Sequence, residues 1–73
     1  MKRNNLKKFR KMLGFSQVEL AQRTHCSRVT IIFIERLGHY PTVGVRSRLA
    51  TALGVHESVI WPTLEVVANG REG

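Results

Sequence analysis

Residues 27–36 read Ser-Arg-Val-Thr-Ile-Ile-Phe-Ile-Glu-Arg, and the conformation of this stretch decides the fold. By propensity alone, Val29-Thr30-Ile31-Ile32-Phe33-Ile34 is a strand, because β-branched and aromatic side chains suit a pleated, half-buried surface. Propensity is a weak prior that packing overrides. Three signs favour a helix. Ser27 is placed to cap free backbone N–H groups, the run continues as far as Gly38, and Glu35 finds a use at helical spacing. On a helix, Ile31, Ile34 and Glu35 share one face, while Val29, Ile32, Phe33 and Arg36 point the other way. The spacing predicts a helix over Arg28–Arg36.

The segments on either side repeat the helical pattern. Ser16-Gln17-Val18-Glu19 fits a capping box, in which Ser16 caps forward and Glu19 reaches back, with Phe15 and Leu20 placed as a hydrophobic staple. Leu20, Ala21 and Thr24 then face inward, and this helix ends near Thr24-His25. Earlier still, a helix starts near Asn4 or Asn5. Its apolar stripe is Leu6, Phe9, Arg10 and Leu13, and Gly14 stops it. Downstream, Pro41-Thr42 opens a fourth helix with Thr42 as its cap. Leu49, Ala50 and Leu53 are its core positions and Gly54 its stop. A short fifth helix contributes Val59, Ile60 and Trp61, and Pro62 ends or kinks it. Residues 63–68 read as one more turn or an extended arm, and Asn69 onward as frayed. The fold class is all-α, with five short helices.

One pair of charges explains the architecture. Arg10 lies on the apolar stripe of the first helix and Glu35 on the apolar face of the third. Each alone is a costly burial. Together they form a partly buried ion pair tying the two helices; the alternative is that both reach water and never meet.

With 73 residues the chain is one domain. Twelve Lys and Arg oppose five Glu with no Asp, a net charge of +7, which favours a polyanionic partner or an acidic membrane surface. Lys2, Arg3, Lys7, Lys8 and Lys11 crowd the start, either as sequence-independent attraction to phosphates or as a solvated charged face. At 42 % hydrophobic residues the chain is too apolar for a disordered basic tail. The single cysteine excludes an internal disulfide, and neither a signal peptide nor a run of about 20 apolar residues is visible. A reduced, intracellular setting is the expectation. Cys26, His25, His39 and His56 lack metal-ligand spacing, and Cys26 reads as a small core residue. No phosphate-binding glycine loop and no acid–base pair stand out. Neither enzymatic activity, metal, cofactor nor small-molecule ligand is expected.

Residues 6–61 resemble the Cro/cI-type (XRE-like) helix-turn-helix family of phage repressors and bacterial regulators, closest to lambdoid repressor-like domains. The carriers are Leu6, Arg10, Leu13-Gly14-Phe15-Ser16-Gln17, Glu19-Leu20-Ala21, Ser27, Ile31, Ile34-Glu35-Arg36, Pro41, Leu49-Ala50 and Leu53-Gly54-Val55. This resemblance weighs most in reading 28–36 as helix. It implies a compact five-helix domain over 5–61 with the helix-turn-helix at 17–36, a basic arm at 1–4 and a C-terminal extension at 62–73. It also implies a third helix in the DNA major groove and a second helix whose start rests on the phosphate backbone. The family's Arg–Glu pair falls on Arg10 and Glu35, and its phosphate-contacting glutamine on Gln17. Departures are His25 at the turn glycine, Leu37 ahead of Gly38, Arg46 at an apolar position, and Ile32 and Phe33 at polar ones.

On this reading Ser27 caps its helix and meets a phosphate or base edge. Arg28 is the best base reader, able to bond guanine O6 and N7 together. Val29 and Phe33 meet thymine methyl groups, Ile32 flanks them, and Arg36 and His39 approach phosphates. The implied function is sequence-specific double-stranded DNA binding as a small cytoplasmic transcriptional regulator, a repressor, bacterial or phage-encoded. It would bind as a homodimer on a near-palindrome with half-sites about 34 Å apart. Trp61, Leu64, Val66 and Val67 are the candidate dimer contact; otherwise Trp61 closes the core and 64–67 cover it. A reading of a different class keeps the fold but uses the apolar face of the third helix to bind protein, as an antitoxin or anti-repressor does.

Overall fold

The computed structural model describes residues 4–62. Five helices follow in order: α1 Leu6–Met12, α2 Gln17–Arg23, α3 Arg28–Leu37, α4 Val43–Leu53 and α5 Glu57–Ile60. Among the described residues there is no strand, so the β-branched run is helical. The reason is tertiary. Ile31 and Ile34 are wholly buried beside Leu6, Leu20, Leu49 and Ile60, and α2 packs closely on α3. Burying a side chain of that size contributes about 1.5–3 kcal/mol, which exceeds the few tenths separating β-branched residues from good helix formers.

The local signals at the starts of α2 and α3 form as expected. Ser16 Oγ accepts from Glu19 N at 3.0 Å and Glu19 Oε1 from Ser16 N at 2.8 Å. Ser27 Oγ accepts from Thr30 N at 3.1 Å. Two other caps differ. Asn5 is the N-cap of α1 but makes no side-chain cap bond, and neither does Thr42 at α4. At α1 the capping bond comes from Asn4, whose Oδ1 accepts from Leu6 N at 3.0 Å, and both asparagines also bind across the fold: Asn4 Nδ2 donates to Ile34 O at 2.9 Å and Asn5 Nδ2 to Val59 O at 2.9 Å. They fasten the start of α1 to α3 and α5.

Leu13 also departs from expectation, being half exposed rather than on the inner stripe. As the C-cap of α1, Leu13 keeps the helical phase, its N–H bonded to Phe9 O at 3.2 Å, but it lies at the end of the helix where the core does not cover it. α3 runs one residue past Arg36, and Gly38 then closes it with a left-handed φ of 73°. The N–H groups of Gly38 and His39 both reach Phe33 O. Displacing the glycine by one position thus lengthens the helix by one residue.

His25 occupies the turn between α2 and α3 with φ 55°, the one positive φ among the described non-glycine residues. The turn has the bonds of a glycine-closed helix end: Cys26 N donates to Ala21 O at 3.0 Å and His25 N to Gln22 O. Histidine visits this region more readily than a β-branched residue but at a cost glycine avoids. His25→Gly is therefore expected to stabilise by up to about 1 kcal/mol, and His25→Val to destabilise by about 1–2 kcal/mol. Urea midpoints of the two variants check the ranking; a Val variant as stable as the Gly variant would contradict it.

Arg46, at a position expected to be apolar, is held by groups from outside α4. Its guanidinium lies 4.3 Å above the Tyr40 ring, donates to Pro41 O at 2.7 Å and pairs with Glu57 at 3.2 Å. Arg48 donates to Thr24 O at 2.7 Å, tying α4 to the end of α2. Cys26 is half-buried against the core, its Sγ 3.1 Å from Thr24 Oγ1.

Candidate nucleic-acid interface

The ion pair forms and is buried. Arg10 Nε and Nη2 donate to Glu35 Oε2 and Oε1 at 2.6 and 3.1 Å. Arg10 Nη1 adds a bond to Phe15 O at 2.8 Å. One guanidinium thus fixes α1, the loop before α2, and α3 in a single arrangement. A planar fork suits this task, because its donors point in set directions.

Gln17, the first residue of α2, joins the same cluster. Its Nε2 donates to Glu35 Oε1 at 3.2 Å. The carboxylate can only accept, so it holds the amide with its nitrogen inward. Nε2 has a second hydrogen, which this bond leaves free. Nothing near Gln17 in the sequence announces this bond, since its partner lies 18 residues away.

The outer surface of α3 carries two adjacent rows at four-residue spacing. One is Arg28, Ile32 and Arg36; the other is Val29, Phe33 and Leu37. Val29 is 55 %, Phe33 46 % and Leu37 65 % exposed, and both arginines are exposed. Ile32 is half-buried between them. Ser27 precedes the first row and is exposed, its Oγ also bonded to Thr30 Oγ1 at 3.0 Å. His39 is exposed just past Gly38. The expected residues Ser27, Arg28, Val29, Ile32, Phe33 and Arg36 therefore belong to one continuous face, opposite the buried Ile31 and Ile34. Leu37 extends that face, and the i, i+4, i+8 series from Val29 already marks it.

Lys7, Lys8 and Lys11 are exposed on α1; Lys2 and Arg3 lie outside the described residues. Trp61 sits inside the core at 5 % exposure, its ring T-shaped to Tyr40 with centroids 5.9 Å apart. Leu64, Val66 and Val67 lie outside the described residues. Among the described residues no group of three His, Cys, Asp or Glu side chains is placed to hold a metal, and no helix is long and apolar enough to cross a membrane.

A short capped helix, a tight left-handed turn and a second helix with an outward polar and apolar face together define a helix-turn-helix domain. A family model described as helix-turn-helix matches residues 6–60, and the chain belongs to that family. It is also similar to an uncharacterized HTH-type transcriptional regulator of Methanothermobacter thermautotrophicus (strain Delta H). The two are 40 % identical over 52 residues, 71 % of this chain and 75 % of the relative.

Proposed function

We propose that this chain binds double-stranded DNA sequence-specifically as a small transcriptional regulator. It is a repressor without enzymatic chemistry, working in the cytoplasm as a homodimer on a near-palindrome with α3 in the major groove. The observation that carries this reading is the outer face of α3, where Arg28 stands free in the first turn above an ion-paired frame. An arginine there meets a guanine edge with two parallel bonds. Val29, Ile32 and Phe33 face the base edges, while Ser27, Arg36 and His39 approach the flanking phosphates. Gln17 gives its second Nε2 hydrogen to a phosphate oxygen, held in that orientation by Glu35. The lysines of α1 add attraction that does not depend on sequence.

Selection of bound sequences from a random duplex pool tests this directly. An enriched palindrome is the expected result; a pool that stays random contradicts sequence reading. On the enriched site, Arg28→Ala is expected to cost about 1–3 kcal/mol and to relax preference at one base pair. Replacing Lys7, Lys8 or Lys11 should instead weaken all sequences alike and flatten the log–log salt slope by about 0.9 for each phosphate that is no longer neutralised. The second reading, a protein-binding module, draws on the exposure of Val29 and Phe33. Retention on random duplex DNA that falls as salt rises separates the two.

A further inference from the structure

α5 has four residues, and a helix of one turn has no stability of its own. Two things hold it. Ile60 and the following Trp61 are buried in the core, and the first turn is capped by a histidine, His56. Ser58 N donates to His56 Nδ1 at 3.1 Å. A backbone N–H only donates, so Nδ1 carries a lone pair and the ring is the neutral tautomer with its hydrogen on Nε2. The Ser58 hydroxyl lies 2.9 Å from the same nitrogen. The usual caps, serine, threonine, asparagine and aspartate, accept through oxygen. An imidazole loses its acceptor when it takes up a proton, because both ring nitrogens then donate.

The bonds that α5 makes give this cap its reach. Val59 O and Ile60 O accept from Asn5 Nδ2 and Asn5 N at 2.9 and 2.8 Å, so α5 fastens the start of α1. Asn4, one residue earlier, is bonded to Ile34 O on α3. His56 is exposed, so a proton reaches it without unfolding. From α4, Ser47 and Thr51 line the groove that His56 borders, and neither is charged. Glu57 is the one charged residue lining that groove, and Arg46 engages its carboxylate at 3.2 Å. Where α1 meets α5 the residue is Asn5, also uncharged.

We propose that His56 is a pH-sensitive clasp. Neutral, it closes the first turn of α5; protonated, it turns a donor toward the Ser58 N–H and releases α5 together with the start of α1. The capped state binds one proton fewer than the open state, so the clasp tightens as pH rises and opens as pH falls through the imidazole range, between about pH 8 and pH 5. The clasp depends on the fold alone and stands apart from the DNA-binding reading.

The test compares the full native chain with His56→Asn, which keeps a capping acceptor and does not titrate. Amide exchange is followed by NMR across that pH range, with the intrinsic pH dependence of exchange divided out. The amides read are Asn5 N, bonded to Ile60 O, and Trp61 N, bonded to Glu57 O at 2.9 Å. In the native chain their protection is expected to fall about fivefold on acidification, the worth of one cap, and in His56→Asn to stay level. In the native chain alone, the Ser58 amide shift should follow the His56 ring as it titrates, a readout that needs no variant. Protection that falls equally in both chains assigns the change to another group and overturns the clasp. A Ser58 amide that ignores the titration of the ring overturns it as well.

Discussion

Glu35→Ala is expected to destabilise the domain by about 3–5 kcal/mol. Domains hold about 5–15 kcal/mol in total, and one this small has little to spare, so the variant should be partly unfolded at 37 °C. The magnitude follows from what remains behind. The Arg10 and Glu35 side chains are 9 % and 1 % exposed. Removing the carboxylate strands a guanidinium in the core with a single bond left, to Phe15 O, and releases Gln17 as well. Arg10→Ala strands the carboxylate and should cost a similar amount. Replacing both, as Arg10→Met with Glu35→Leu, removes the buried charges together and should recover most of the loss. A double-mutant cycle by urea unfolding measures this. The coupling should persist at 1 M salt, because buried pairs are screened far less than exposed ones. Independent, additive losses would show that the two charges do not act as a pair.

The recovered double variant also separates stability from binding. It restores the packing of α1 on α3 but leaves Gln17 without an acceptor for its inner hydrogen. If Glu35 orients that amide, the double variant should fold and yet bind DNA more weakly than the native chain. Equal binding would make Glu35 a structural residue alone.

How much is legible in the sequence depends on how far apart the partners lie. The caps at Ser16 and Ser27 act over three residues, and both form. Spacing within one helix turns Ile31 and Ile34 inward, and both are buried. Arg10 and Glu35 pair across 25 residues, and the sequence reveals it because each is a charge on an apolar face, a mismatch that one partner resolves. Arg46 also stands at a position expected to be apolar, but no charge on a facing apolar stripe names its partner. Its ring, carbonyl and carboxylate partners come from a loop and from α5, and their meeting depends on how α4 docks. Leu13 departs for a simpler reason: a period gives the direction of a side chain, and at the C-cap of α1 no core residue lies in that direction to cover it. The candidate site is readable as a face, since rows four residues apart are local. The hold of Glu35 on Gln17 is not, because it exists only once α2 and α3 have packed.

Trp61→Ala is expected to cost about 3–5 kcal/mol, and Trp61→Phe within about 1 kcal/mol of nothing. Trp61 is almost fully buried and packs T-shaped on Tyr40, whose ring also carries the Arg46 guanidinium that pairs with Glu57. Truncation to alanine opens a cavity and removes the support for that stack at the point where α5 holds Asn5 N through Ile60 O at 2.8 Å. Phenylalanine keeps the ring. The indole N–H finds no acceptor among the described residues, so its removal loses no bond there and relieves a buried donor, which offsets the smaller volume. In a domain of this size each kcal/mol moves Tm by about 4–8 °C, so thermal melts resolve the two variants easily. Melts at two protein concentrations tenfold apart decide between a core role and a dimer contact for this residue. A core residue lowers Tm by the same amount at both. A residue that joins two copies makes the native Tm rise with concentration by mass action, and its truncation abolishes that rise.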